Sequence, residues 1–270
     1  MTSLPLGTDK PTLTPDLPRV RNICNTYYIC CQSRPNWSVF APACTATDMG
    51  TSAVFSLPAV RDLNRRCIDL MAQAAHRKTE HPLSIICTVR TDLCASTPAS
   101  RERAADRAFL LLDLEFGNAL WWRAIVHDPE RQIRKPSLHP AFPRYAALPL
   151  TRATLIAAWR AVCADAYSAE ILLGLDATVA ELLINLPVTS IDHIARHIHP
   201  HLRPRWADHP AFWRALLRAA NREDGRQLSR IDVQGIQLLT GDMLIASADQ
   251  KAHLRTQSRG HRRLARPTPA

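Results

Sequence analysis

Apolar positions along the chain fall into blocks with a helical period, separated by blocks without one. Residues 1–55 repeat Pro and Thr with no period, a composition expected to stay disordered. At Ser56 the pattern changes. Ser56-Leu57-Pro58 reads as an N-cap with Pro in the first turn, and Val60, Leu63, Cys67, Leu70, Met71 and Ala74 recur at steps of three and four. This predicts an amphipathic helix ending near Ala75. Residues 76–99 mix turn residues with a β-like run, Leu83 to Val89. Ser100 is placed to cap a second helix, whose run Phe109-Leu110-Leu111-Leu112 continues to Trp121, Trp122 and Ile125. Apolar on more than one face, that helix belongs at the centre of an N-terminal core. Pro129 to Pro149 then reads as a linker or surface loop.

In the C-terminal half, Thr151 begins a helix with Leu155, Ile156, Trp159, Val162 and Cys163 on one face. Leu172-Leu173-Gly174-Leu175 breaks it, and Asp176 is placed to cap a short helix, Ala177 to Leu186, stopped by Pro187. Thr189-Ser190-Ile191-Asp192 resembles a capping box opening a helix with Ile191, Ile194, Ala195 and Ile198 inward. Asp208-His209-Pro210 opens another, with Phe212, Trp213, Leu216 and Leu217. A last helix is expected from about Gln227 to Ala248, with Ile231, Leu238, Leu239 and Met243 inward.

The fold class expected is therefore mainly all-α: a helical bundle with a helix-turn-helix-like C-terminal domain. The organisation is a disordered or over-extended stretch at 1–55, a helical region at 56–128, a linker at 129–150, a helical domain at 151–248 and a basic tail at 249–270. Because Met49 begins a stretch of different character, translation is expected to start at either Met1 or Met49.

Charge adds a partner class. Lys and Arg outnumber Asp and Glu by 34 to 24, a formal +10, which favours an anionic partner: nucleic acid first, an acidic protein or membrane surface second. Simple solubility in an Arg-rich sequence competes with this. The 8 Cys form no CxxC pair, no apolar run is long enough to span a bilayer, and no signal-peptide pattern opens the chain. A cytoplasmic protein without membrane association is expected. No GxSxG, Walker loop or GxGxxG occurs, so the chain reads as a non-enzyme without a cofactor.

Three constellations carry candidate chemistry. The helices between Asp176 and His199 have helix-turn-helix proportions, but the second offers Asp192, His193, Arg196 and His197, and Asp192 would repel phosphate. That pair is a better packing unit than a DNA reader. His193 and His197, four apart, have a possible zinc spacing without the intervening Glu of a zinc protease; exposed helix histidines are the competing reading, and no metal site is assigned. Arg203 and Arg205 precede Trp206, Phe212 and Trp213, aromatics that either stack bases or, as the period of the last two favours, fill the core. The final stretch holds Lys251, Arg255, Arg259, Arg262, Arg263 and Arg266 and no acid, so it either meets phosphate through charge or merely solubilises. The nucleic-acid candidates are Arg203, Arg205, Arg259, Arg262, Arg263 and Arg266.

The segment Ala153 to Arg196 resembles FlhD, a subunit of the bacterial flagellar master regulator. The matching positions are Leu155 through Arg160, Asp165, Ala169, Leu173-Gly174-Leu175, Ala180 with Leu183, and Ile194-Ala195. Arg205-Trp206-Ala207-Asp208-His209 and Ile236 to Leu244 are similar to two further elements of that family. The resemblance implies an all-helical homo-oligomer, a dimer, that joins an FlhC-like partner and activates transcription by recruiting RNA polymerase. The family's dimer-bridging Cys would fall near Leu202, so that disulfide is absent; nothing before residue 150 has a counterpart, and the FlhC four-Cys zinc pattern is missing. The function expected is thus a transcriptional activator subunit contacting DNA directly or through its partner, controlling flagellar, secretion or mobile-element genes. The alternative is a protein-interaction module that binds no DNA, such as a secretion-system accessory subunit.

Overall fold

The computed structural model describes residues 57–77, 84–128 and 140–264, without the side chains of Ser84, Ala246, Ser247 and 249–264. The chain divides into two units, Met1–Asp48, which lies outside the described residues, and Met49–Ala270. Among the described residues the regular secondary structure of the second unit is helical apart from one two-stranded ribbon, the mainly all-α class that the apolar period predicts.

The predicted first helix is present as α1 (Leu57–His76), burying Val60, Leu63, Cys67, Ile68 and Met71; its expected cap, Ser56, lies outside the described residues. The β-like run is helical instead. It forms α2 (Ser84–Thr88) and leads into α3 (Arg90–Cys94). Ile85, Ile86, Val89 and Leu93 are all buried, a spacing of one helical face, and α2 and α3 pack on α1. β-branched composition imitated a strand that packing overrides.

The second expected helix is divided in two. Thr97, not Ser100, is the N-cap of α4 (Pro98–Ala105), and Ser100 completes a reciprocal capping box by accepting from the Thr97 N–H. The chain then extends through β1 (Leu112–Asp113) before α5 (Ala119–His127). The centrality of Phe109 to Leu112 holds, but as extended chain.

In the Pro-rich stretch, residues 129–139 lie outside the described residues. The rest is largely helix, because α6 (Arg144–Leu173) starts seven residues before Thr151 and contains Pro149. Ala147 and Leu150 are buried, and the carbonyl that Pro149 leaves without an N–H donor is that of exposed Tyr145, within reach of solvent. α6 breaks at Asp165 (φ −157, ψ 97), whose Oδ1 accepts from the Tyr167 and Ser168 N–H groups and so caps the continuing helix. Asp176 caps α7 (Ala177–Ile184) as expected, accepting from Thr178 N at 2.8 Å.

The expected capping box at Thr189-Ser190 does not form. A 3-10 turn, Val188–Ser190, runs straight into α8 (Ile191–Ile198), so Ser190 is already helical. β2 (Arg203–Pro204) pairs antiparallel with β1, Leu112 opposite Pro204 and Asp113 opposite Arg203. α9 (Pro210–Asn221) follows, and α10 (Gly225–Leu264) is a single helix of 40 residues. α4 packs on α9 and α1 on α6, so the elements on either side of the Pro-rich stretch share one core.

That core surrounds the extended segment after α4. Phe109, Leu110, Leu111, Leu112, Leu114 and Phe116 are all buried, and their backbone groups need partners there. Buried Asn64 on α1 supplies two: its Nδ2 donates to Phe109 O at 2.9 Å and its Oδ1 accepts from Leu111 N at 2.7 Å. Leu110 N donates to Leu172 O, Leu111 O accepts from Arg205 N, and Phe116 O accepts from Asp176 N. The Trp122 indole donates to Leu114 O. Asn64→Leu keeps the branched heavy-atom framework and strands these groups, and is expected to destabilise by about 3 kcal/mol, read as a lowered denaturant midpoint with an unchanged slope.

Candidate functional site

Two places gather the residues with chemical potential: the ribbon β1–β2 and the long helix α10.

At the ribbon, antiparallel pairing brings Arg203 and Arg205 beside two carboxylates some ninety positions upstream. Arg203 Nη2 lies 3.1 Å from Asp113 Oδ2 and 2.9 Å from Glu115 Oε1. Arg205 is buried; its Nη2 donates to Leu173 O at 2.6 Å and lies 3.8 Å from Asp113 Oδ1. Burial opposes charge on both arginines. Asp113 and Glu115 more than offset it at Arg203, raising its pKa, whereas burial prevails at Arg205 and lowers it. Glu115 is pushed up chiefly by burial, against the pull of Arg203. Two residues flanking the ribbon, Glu115 (φ 57) and Trp206 (φ 53), adopt left-handed backbone. Gly174 (φ 63) ends α6, and a Cβ there would collide with Arg205 Nη1, so the glycine both stops the helix and makes room for the guanidinium.

The ribbon therefore binds its own chain. Arg205 is held inside the fold, and Arg203 is committed to Asp113 and Glu115. The aromatics are interior as well: Trp206, Phe212 and Trp213 are buried, with the Trp206 indole donating to Asp242 and that of Trp213 to Arg205 O, both at 2.7 Å. Other arginines are used similarly. Arg90 donates to Ala75 O, Arg103 to Ala220 O and Arg205 to Leu173 O, which are carbonyls in the last turns of α1, α9 and α6. A guanidinium from elsewhere in the chain thus closes the negative end of each helix.

α7 and α8 each pack on α6. The exposed side of α8 carries Asp192, His193 and Arg196, with Asp192 paired to Arg152 at 2.6 Å. The His193 and His197 rings stack edge to face at 4.5 Å, His199 Nδ1 contacts Arg196 O, and the His201 ring lies on Trp121. Burial is the first cause lowering the pKa of both His199 and His201. Among the described residues no group of three or more His, Cys, Asp or Glu is placed to hold a metal ion. Cys67 is packed in the core, and burial pushes its thiol up to about 12.

α10 continues well past the expected end at Ala248. Its first half is anchored by Leu228, Ile231 and Leu239, and by Gly235, which lies so close to the Phe109 ring that a Cβ would overlap it. Of the basic candidates, Arg259, Arg262 and Arg263 lie on the helical continuation, with side chains outside the described set, while Arg266 is outside the described residues altogether. Sequence periodicity identified the buried face of α10 but not what its outward side exposes: Val233, Ile236, Leu244 and Ile245. Among the described residues no helix is long and apolar enough to cross a membrane.

No protein-family model, curated protein or solved structure matches the chain. The resemblance to FlhD rests on its residues alone; in the structure the main matching segment spans α6 to α8, and the two further stretches lie before α9 and on α10.

Two measurements probe the ribbon. Gly174→Ala forces a left-handed alanine against Arg205 and is expected to cost about 2 kcal/mol or more, read as a lowered melting temperature. Glu115 binds a proton more readily in the folded than in the unfolded chain. The stability it contributes is therefore complete in acid and is lost as pH rises from the ordinary carboxylate value, about 4.3, through its higher folded value. Glu115→Gln, uncharged throughout, is expected to flatten that decline in a stability–pH profile.

Proposed function

We propose that this protein is a nucleic-acid-associated regulator, a transcriptional activator subunit that acts with a partner protein, and that the distal part of α10 is its phosphate-contacting element. One observation carries the proposal: the helix runs on through 251–264 with Lys251, Arg255, Arg259, Arg262 and Arg263 and not one acid. Along a helix cationic positions recur at regular backbone spacing, and displacing counterions from DNA gives such a segment affinity without sequence readout. The arginines at the ribbon serve the fold, which moves phosphate contact away from Arg203 and Arg205 and toward this segment. Base specificity then comes from the second protein, as an FlhC-like partner would supply it, with RNA polymerase recruited by the assembly.

The test is DNA affinity as a function of salt. Replacing Arg259, Arg262 and Arg263 with Gln is expected to flatten the slope of log affinity against log salt by about 0.9 for each phosphate that the segment no longer neutralises. An unchanged slope removes the segment from nucleic-acid binding. That result would favour the second reading, a protein-interaction module that binds no DNA, which draws support from the apolar side chains exposed on α10.

A further inference from the structure

Outside the ribbon and α10, the side chains in the most specific relation are His193 and His197. Four positions apart on α8, they project from one face of the helix, a spacing at which two imidazoles can share a metal ion. His193 is exposed and His197 half-buried, while Ile191, Ile194, Ala195 and Ile198 pack inward on the opposite side. The two ring centres lie 4.5 Å apart, with the planes at 75°.

That separation carries coordination information. A ligating nitrogen sits about 1.2 Å from the centre of its ring and about 2.0–2.1 Å from a late first-row divalent ion. Two such rings at a ligand angle of about 90° have centres about 4.5 Å apart, and at the tetrahedral angle about 5.2 Å. The observed distance matches the right-angled pair. The edge-to-face setting is not itself a chelate, but only one soft torsion per ring has to change. The Cβ–Cγ bond points at the ring centre, so rotation about it swings the nitrogens toward a common point while the centres stay in place.

We propose that His193 and His197 form a two-imidazole site for a divalent ion that favours right-angled ligands, nickel or copper, with water in the remaining positions. Imidazole suits both ions, and their octahedral or tetragonal geometry separates them from four-coordinate zinc. The surrounding charge is mixed. Asp192 is paired with Arg152, which leaves the exposed guanidinium of Arg196 opposing the ion. Solvent screens that charge, and the carbonyl end of α8, whose last turn contains His197, favours a cation. Among the described residues no third His, Cys, Asp or Glu completes the coordination, so the site is open and exchangeable, with affinity on the order of 10 μM. The inference is independent of the nucleic-acid proposal, because it concerns another helix and its test uses no DNA.

Ni2+ is the first probe, since unlike Cu2+ it does not oxidise the exposed thiols of Cys87, Cys94 and Cys163. The full chain is titrated by calorimetry from about 1 μM to 1 mM Ni2+, and hydrogen exchange locates the uptake. Amides of 191–201 are expected to exchange more slowly with the ion bound, because the chelate clamps one turn of α8, while those of α9 are unchanged. His193→Ala and His197→Ala are each expected to weaken uptake at least about tenfold, the least that loss of even an outer-sphere partner costs a metal site. Both side chains lie on the outward side, so the circular dichroism of these variants is expected to match the parent. Asp192→His combined with His193→Ala keeps the number of histidines but sets them five apart on different faces, and is expected to behave as His193→Ala. Cu2+, added after alkylation of the thiols, is expected to bind more tightly than Ni2+, and Zn2+ more weakly. Zn2+ binding more tightly than Ni2+ would overturn the right-angled assignment. No uptake by 1 mM, uptake that survives either alanine, or protection confined to other helices would overturn the site and leave the pair a ring contact only.

Discussion

A polypeptide that threads an extended segment through an apolar interior must find a partner for every peptide group along it, and the architecture around Phe109 to Phe116 follows from that requirement. A helix satisfies its own backbone, whereas this segment has only the two-residue ribbon with β2. Other groups are met by Asn64 from α1, by Leu172 O at the end of α6, by Arg205 N beyond β2, by Asp176 N at the start of α7, and by the Asp113 carboxylate and the Trp122 indole. Elements far apart in sequence thus converge on one strand of chain, and each depends on the position of the others. The unbonded alternative, several buried peptide groups at about 1–3 kcal/mol apiece, would consume much of a domain's net stability.

The same economy governs the charged residues. Guanidinium groups close the carbonyl ends of α1, α6 and α9, and the Arg205 seat in turn requires a glycine at position 174. The cap on α6, the two left-handed residues flanking the ribbon and the Asp113–Glu115–Arg203 cluster form one connected unit. It looks like a binding site in its residue types and is spent on folding.

What the sequence disclosed follows from which interactions are local. Helix α1, the Asp176 cap, the Gly174 stop and the buried face of α10 are written in spacings of three and four or in single capping residues, and each appears where those signals put it. The extended course of Phe109 to Leu112 was not legible, because its conformation is imposed by Asn64, Leu172 and Arg205, from distant parts of the chain. Leu83 to Val89 misled for a related reason: Ile85, Ile86 and Val89 favour strands by type, and only docking on α1 selects helix. At the candidate site, Arg203 and Arg205 were visible as charges but their acidic neighbours were not, since Asp113 and Glu115 reach them only through the ribbon. The outward stripe of α10 is encoded with helical period; what makes it informative is exposure, which periodicity does not supply.

Internal use of arginine also changes what the net charge of +10 means. Much of the positive charge in the body is matched by Asp69, Asp92, Asp106, Asp113, Asp192, Glu223 and Asp232 at close range, so it projects little field. The acid-free run beginning at Lys251 lies at the far end of a helix about 60 Å long. That helix therefore has a strong charge asymmetry along its own length. In the field of an anionic surface a helix charged in this way feels a torque that turns its basic end forward before contact is made.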